Sequence, residues 1–209
     1  MTNSHLLIKC HIWVLIVGVG ITLGGCQPPI KNLDSKGKNI ICFGDSITWG
    51  EGLNRKDAFP AILEKLLKRK VINAGNPGDT TFDALKRLKR DVLDRDPYLV
   101  IVELGGNDFL QKVAPQDTFN NIEKIIRRIQ DKGAIVVLCD VSCGFVLSGY
   151  RKEFKRIARR YGTIFVARLL EGILDDPSLK VDFIHPNKRG HILVAQRIYE
   201  RLRKWALFQ

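Results

Sequence analysis

A serine, an aspartate and a histidine in this sequence have the residue types and the spacing that nucleophilic attack on a carbonyl requires. Ser46 follows Gly44-Asp45 directly after a short apolar run, and Asp182 precedes His185 by three residues on a predicted turn. His185 can accept the proton of the serine hydroxyl, while Asp182 can bond the other imidazole nitrogen and define its tautomer. Gly44 is expected to adopt backbone angles that other residues resist, so that the chain turns sharply before the serine.

Two further loops offer donors for the oxyanion that forms when a serine attacks a carbonyl. The segment Gly105-Gly106-Asn107-Asp108 carries the side-chain amide of Asn107. The loop over residues 73–80 contains Gly75 and Gly78. Either glycine could present its backbone N–H to a substrate, because no Cβ blocks the approach.

Each of these segments also has a purely structural interpretation. Gly-Asp-Ser is a common turn tripeptide, His185 could be a surface histidine, and Asp182 could cap a helix. A second histidine, His191, falls inside the predicted last helix, where a solvent-facing or capping role is expected. His185 is therefore the candidate base if the chain uses a catalytic serine.

Short apolar runs alternate with amphipathic helical patterns along residues 39–209, which predicts a single α/β domain. This alternation indicates a parallel sheet covered by helices on both faces. Ligands of such sheets lie beyond the carboxyl ends of the strands, so the loops described above should open onto one edge. The predicted strands are residues 39–43, 70–73, 98–104, 134–139 and 163–167.

The first 25 residues have the composition of an export signal. Lys9 is their only charged residue besides the terminus, and residues 10–25 form an uncharged apolar stretch. An uncleaved anchor is the alternative, but the stretch is shorter than the roughly 20 residues of a spanning helix. It ends in Leu23-Gly24-Gly25-Cys26, which resembles the lipobox of bacterial lipoproteins. We therefore predict a signal peptide over residues 1–25, a lipidated N-terminus and tether over residues 26–38, and the folded domain over residues 39–209.

The chain is basic, with a net charge of +12 that is dispersed over predicted helix faces. Solvated helix faces explain such dispersion, contact with an acidic membrane is the second interpretation, and nucleic acid is not expected as a partner. Lipid on Cys26 together with this basic surface predicts a monomer anchored in the cell envelope. By resemblance to enterobacterial sorting, Gln27 in place of Asp after the cysteine indicates the outer membrane where the host has one.

The cysteines and histidines do not have the spacing of a zinc site. No cofactor is expected either. Cys42 lies in the first predicted strand and is expected to be a buried apolar residue. Cys139 and Cys143 flank a strand end and could form a disulfide in an oxidising envelope, although their spacing leaves both states open.

Four blocks of the sequence resemble, in order and spacing, the blocks that define the GDSL or SGNH hydrolase family. One block occurs often by chance, whereas four in this order at strand ends are specific. Ile47 stands where the family name has leucine, which is a conservative difference. The blocks are Gly44-Asp45-Ser46-Ile47, the loop 73–80, Gly105-Gly106-Asn107-Asp108 and Asp182-Phe183-Ile184-His185.

The resemblance implies a flavodoxin-like three-layer α/β/α sandwich with a five-stranded parallel sheet in the order 2-1-3-4-5, and no metal. The family pattern Asn-Ala-x-x-x-Gly-Asp-Thr matches residues 73–80 and favours Gly78 over Gly75. The implied catalytic residues are Ser46, Asp182 and His185, and the implied oxyanion-hole donors are Ser46, Gly78 and Asn107.

The sequence is most similar to small bacterial members of the family with thioesterase, lysophospholipase and arylesterase activities, which implies an ester or thioester substrate, lipids included. An O-acetylesterase acting on envelope polysaccharide is the rival enzyme, and a non-catalytic binding lipoprotein is the rival from another class. Asp45 is expected to support the turn and Trp49 to form a wall of the site. An acyl groove is expected from apolar residues in two loops: Phe109, Leu110, Val113, Phe145, Val146 and Leu147.

Overall fold

Five short strands form one parallel sheet in the order 2-1-3-4-5. The computed structural model of the protein describes residues 29–142, 148–205 and 207. The strands are β1 (Asn39–Gly44), β2 (Val71–Gly75), β3 (Pro97–Glu103), β4 (Ile135–Cys139) and β5 (Ile164–Val166). The predicted flavodoxin-like sheet is therefore confirmed. All five strands point in one direction. We call the side of the sheet at which their carboxyl ends lie the catalytic edge, and the side at which their amino ends lie the amino edge.

Helices cover both faces of this sheet and enclose two apolar cores. One core includes buried side chains of α3, α5 and α6 on one face, and the other includes side chains of α2 and α7 on the opposite face. The strands are buried from both sides, which explains their nearly continuous apolar sequences. The helices are α1 (Ser46–Trp49), α2 (Phe59–Leu67), α3 (Thr81–Asp91), α4 (Gly106–Leu110), α5 (Pro115–Asp131), α6 (Ser148–Tyr161) and α7 (Lys188–Arg203).

His191 is fully buried between α7 and α2, so its expected exposure to solvent is wrong. Its Nδ1 accepts a hydrogen bond of 3.1 Å from the backbone N–H of Phe59, the first residue of α2. The imidazole therefore does cap a helix, but a neighbouring one rather than its own. Local periodicity missed this contact because the two residues are 132 positions apart.

The segment that precedes β1 packs against the amino edge. Lys31 N–H donates to the Gly162 carbonyl at 2.9 Å, directly before β5. The Asn32 side chain donates to the carbonyl of Gln130, in the last turn of α5, at 2.9 Å and to that of Ala134, directly before β4, at 3.0 Å. The signal-peptide residues and Cys26 lie outside the described residues. Within the described part, no helix is both long and apolar enough to cross a membrane.

Candidate active site

Ser46 begins the short helix α1 directly beyond the end of β1. Gly44 does not have the unusual backbone angles expected of it, since its φ is not positive. Close packing requires a glycine at position 44 instead, because a Cβ there would lie 2.0 Å from Thr48 Oγ1 and 2.6 Å from the Glu103 carbonyl oxygen. The turn holds together because Asp45 Oδ1 accepts a hydrogen bond of 3.0 Å from Ile47 N–H.

Ser46, His185 and Asp182 form one hydrogen-bonded chain. Ser46 Oγ lies 3.0 Å from His185 Nε2, and His185 Nδ1 lies 2.7 Å from Asp182 Oδ2. The other carboxylate oxygen of Asp182 accepts the backbone N–H groups of Ile184 and His185, at 2.9 and 2.8 Å. The His185 side chain and then these backbone donors lower the pKa of Asp182 to about 2. An ionised Asp182 defines the tautomer in which Nε2 faces the serine hydroxyl as an acceptor.

Two candidate oxyanion donors lie beside this chain. The Ser46 N–H is at the first turn of α1, where it has no acceptor among the described residues. Asn107 Nδ2 donates to the Asp79 carbonyl at 3.0 Å and to Asp45 Oδ2 at 3.3 Å. A substrate oxyanion could take over the longer of these two contacts.

The two candidate glycines have different surroundings. Gly75 is the last residue of β2; its N–H donates to Asn73 Oδ1 at 3.0 Å, and a Cβ there would lie 2.2 Å from Trp49 N. Gly78 has a φ of 80° and open space where a Cβ would be, and its N–H has no acceptor in the described part of the chain. Gly78 precedes Asp79, whose carbonyl contacts Asn107, although it does not line the cavity described next. These surroundings favour Gly78 as the free donor.

A cavity of about 380 Å³ opens directly beside the serine and the histidine. Most of its wall is apolar, and it draws residues from α1, α4, α6 and several loops. Of the predicted groove residues, Phe109 and Leu110 line it, Val113 does not, and 145–147 lie outside the described residues. Trp49 does not line it either, since its ring packs under Arg55 at 3.5 Å. The apolar lining residues are Ile47, Phe109, Leu110, Val141, Tyr150, Leu170, Leu174 and Ile184.

Two buried carboxyl groups lie under the nucleophile. Burial raises the pKa of Asp45 to about 6, and burial followed by the nearby Asp45 raises the pKa of Glu103 well above its usual range. Glu103 Oε2 accepts a hydrogen bond of 2.7 Å from Thr48 Oγ1 in α1. These side chains therefore tie the helix that carries Ser46 to the end of β3.

Sequence reasoning missed several residues that position or line the site. Asp108 accepts the N–H and the hydroxyl of Thr81 at 2.9 and 2.6 Å, which fastens α4, the helix that contains Asn107, to the start of α3. Leu170 and Leu174 come from a stretch with no recognisable motif. The polar block around Asp108 was a usable signal, whereas nothing local marked the two leucines.

The cysteines and candidate metal ligands take no part in the described site. Cys42 and Cys139 are free and buried, and Cys143 lies outside the described residues. Burial raises the pKa of both buried thiols well above its usual range, so they are poor nucleophiles. Among the described histidines, cysteines and carboxylates, no group of three or more could hold a metal ion.

Comparison with known proteins identifies the family. The model of the GDSL-like Lipase/Acylhydrolase family matches residues 42–193. Esterase TesA of Pseudomonas aeruginosa is 26% identical over 195 residues, which cover 88% of this chain and 97% of that protein. Thioesterase 1/protease 1/lysophospholipase L1 of Escherichia coli is 29% identical over 78% of this chain and 82% of its own. A crystal structure of TesA superimposes with a TM-score of 0.73 at 28% identity, covering 80% of this chain and 99% of that one. The chain belongs to the GDSL-like Lipase/Acylhydrolase family.

Proposed function

We propose that this protein is a serine esterase that hydrolyses carboxylic ester or thioester bonds through an acyl-enzyme on Ser46. The observation that carries the proposal is the chain of hydrogen bonds from Ser46 through His185 to Asp182, at 3.0 and 2.7 Å, beside an apolar cavity. The family match and the esterases among the relatives support the same class of reaction.

The reaction proceeds in two acyl-transfer steps. Ser46 Oγ attacks the carbonyl carbon as its proton passes to His185 Nε2, and Asp182 stabilises the imidazolium that results. The oxyanion accepts hydrogen bonds from the N–H groups of Ser46 and Gly78 and from Asn107 Nδ2. Collapse of this intermediate breaks the ester bond, and the leaving alcohol or thiol takes the proton from His185. Water then attacks the acyl-enzyme by the same route and releases the acid.

Replacing the nucleophile tests this proposal. Ser46→Ala should abolish hydrolysis of p-nitrophenyl esters and acyl-thioesters and abolish labelling by a fluorophosphonate, with an unchanged melting temperature. Ser178→Ala, which changes a serine away from the cavity, is the matched control. It should keep both the hydrolytic activity and the labelling. If the fluorophosphonate labelled Ser46→Ala as strongly as the wild type, Ser46 would be excluded as the nucleophile. A wild-type protein that is neither labelled nor active would favour the non-catalytic lipoprotein.

The acyl group is proposed to be of medium or long chain length. A cavity of about 380 Å³ is in the range of sites that hold a drug-sized ligand and exceeds what an acetyl group fills. Phe183, two residues before His185, is 90% exposed and adds apolar surface at the rim. A panel that varies acyl length against one leaving group should show a preference for the longer chains. A maximum at acetyl esters would instead support the O-acetylesterase.

We further propose that Cys26 is acylated after removal of residues 1–25 and holds a monomeric enzyme in the cell envelope. Incorporation of a labelled fatty acid and fractionation of cells that express the full chain test this. Cys26→Ser should lose the label and the membrane association, whereas Cys10→Ser should keep both because Cys10 leaves with the signal peptide. Label retained by Cys26→Ser would contradict the proposal.

A further inference from the structure

A second cavity, of about 130 Å³, lies at the amino edge, away from Ser46 and unused by the proposed reaction. Gly162 and Thr163 border it where the chain enters β5. The carboxyl end of α7 also borders it. Helices of such folds run opposite to the strands, so they end where the strands begin. We call this the basic cavity, and the lining residues that decide its chemistry are Ile30, Lys155, Arg159, Thr163, Arg201 and Trp205.

The lining of the basic cavity carries three positive charges and no negative one. Among the described residues, neither Lys155 nor Arg159 nor Arg201 forms an ion pair. Arg160, by contrast, lies next to Arg159 in α6 and pairs with Glu123 at 3.5 Å. The cavity therefore has a positive potential that no carboxylate of its own lining neutralises.

Two residues that line this cavity each have a buried polar atom without a hydrogen-bond partner. Thr163 is only 5% exposed and its Oγ1 is unpaired, and Arg201 Nε is unpaired as well. Buried donors without acceptors are rare because each loses its bonds to water. An anion with several acceptor oxygens would satisfy both atoms at once, and a phosphate group is such an anion.

The position of the basic cavity relates it to the membrane. Ile30 lines it, and Lys31 N–H bonds the Gly162 carbonyl at 2.9 Å. Only three residues separate Cys26 from Ile30, a span of about 14 Å when extended. A lipid on Cys26 would therefore place the bilayer close to this edge. Trp205, 37% exposed beside the cavity, is of the residue type that favours the headgroup region.

We propose that the basic cavity binds the phosphate of an anionic phospholipid headgroup in the bilayer that holds Cys26. The location rests on the proposed acylation, whereas the phosphate chemistry rests on the cavity itself. Binding at this edge directs Ser46, at the other end of the strands, away from the anchoring bilayer.

The test uses the protein from residue 29 onward, which contains the whole described fold. A solved TesA structure matches 80% of this chain along 99% of its own length, and a cooperative thermal transition of the part tested verifies that it is folded before binding is measured. Binding is measured to phosphatidylcholine vesicles with and without phosphatidylglycerol, and separately to inorganic phosphate by the shift in melting temperature. The protein should bind inorganic phosphate and the vesicles that contain phosphatidylglycerol, and it should not bind vesicles of phosphatidylcholine alone. Phosphate binding without vesicle binding would overturn the headgroup as the ligand.

Matched variants separate a built site from diffuse attraction. Arg159→Ala should weaken vesicle binding by more than the roughly five-fold loss that diffuse attraction alone predicts for one cation, because the guanidinium would bond the phosphate directly. Arg128→Ala, an equal change of charge at an exposed position of α5, should change it little. Thr163→Val should weaken phosphate binding and raise the melting temperature without phosphate, because it removes an unpaired hydroxyl.

Equal losses for Arg159→Ala and Arg128→Ala, or unchanged phosphate affinity in Thr163→Val, would overturn the proposal. All three variants should hydrolyse a soluble p-nitrophenyl ester as the wild type does, which confirms that they are folded. Ser46→Ala should bind anionic vesicles normally, so failure of the esterase proposal is distinguishable from failure of this one.

Discussion

Individual side chains decide which protonation states the molecule tolerates at and near the site. His191 is neutral because burial, and then the nearby His185, lowers its pKa from 6.5 to about 4. Its Nδ1 accepts the Phe59 N–H, so the proton of the neutral ring lies on Nε2, which is buried without a partner. A protonated His191 could not accept that bond, which couples folding to pH.

This coupling predicts acid sensitivity. Between pH 6.5 and 4 the unfolded chain binds a proton at His191 and the folded chain does not, so stability rises with pH. The contribution of neutral His191 to the free energy of unfolding is fully present above pH 6.5. It falls by about 3 kcal/mol as the pH drops to about 4. His191→Asn keeps an acceptor for Phe59 N–H without a titrating ring.

The free energy of unfolding by denaturant, measured across this pH range, checks the prediction. The wild type should be more stable than His191→Asn at neutral pH, and the difference should narrow as the pH falls. Asp45, whose pKa is raised to about 6, has the opposite pH dependence but is present in both proteins. A difference that is constant with pH would contradict the role assigned to His191.

At the scale of elements, the start of α3 organises the loops around the serine. Thr80 caps the helix and forms a capping box with Asp83. In the same helix, Arg87 donates to the carbonyls of Gly44 and Ala74, both at 2.8 Å, at the ends of β1 and β2. Helix α3 thus connects the strand before Ser46 with the loop that contains Gly78.

Asp108 extends this connection to the loop after β3, and its removal should affect both stability and catalysis. Asp108→Ala leaves the buried Thr81 N–H and hydroxyl without their acceptors and should cost about 2 kcal/mol of unfolding free energy. It should also lower kcat by about ten- to a hundred-fold, because the adjacent Asn107 is no longer held in place.

Denaturant titration and kinetics with a soluble ester measure the two effects. Asp108→Asn keeps one acceptor oxygen, so its free energy of unfolding and its kcat should both be intermediate between those of the wild type and of Asp108→Ala. A loss of stability with an unchanged kcat would limit Asp108 to a structural role.

At the scale of the whole molecule, the two edges of the sheet carry different surfaces. Among the described large apolar residues with substantial exposure, seven of nine lie at the catalytic edge, in α1, α4, the start of α3 and the loop before α7: Trp49, Phe82, Phe109, Leu110, Val181, Phe183 and Ile184. The amino edge instead carries the basic cavity and the packed segment 30–38. An enzyme held by its amino edge would present its apolar rim to substrates outside the anchoring bilayer.

The native tryptophans can report this orientation. From residue 29 onward the chain contains only Trp49, near the catalytic edge, and Trp205, at the basic cavity. On anionic vesicles with brominated lipid, Trp49→Phe should be strongly quenched because Trp205 remains, and Trp205→Phe should be quenched little. Stronger quenching of Trp49 than of Trp205 would show that the catalytic edge faces the bilayer.

Much of the fold and of the candidate site was readable from sequence. The sheet order followed from the family resemblance, and the strands lie within two residues of their predicted bounds. The sequence predicts Ser46 at the end of the first strand and Asp182 and His185 in the turn before the last helix, and the three side chains lie within hydrogen-bond reach. The explanation of Gly44 was wrong, because its glycine is required by contacts with Thr48 and Glu103 rather than by its own φ.

The sequence by itself determined the strands, the helices and the polar loops, because periodicity and turn chemistry are local properties of the chain. It also determined that these loops would meet, since parallel strands end at one edge. Only the tertiary structure decided which distant residues meet: His191 bonds Phe59, Asp108 bonds Thr81, Leu170 lines the cavity beside Ser46, and Arg201 and Thr163 both line the basic cavity. Such contacts depend on how helices pack across the sheet, and no local pattern encodes that packing.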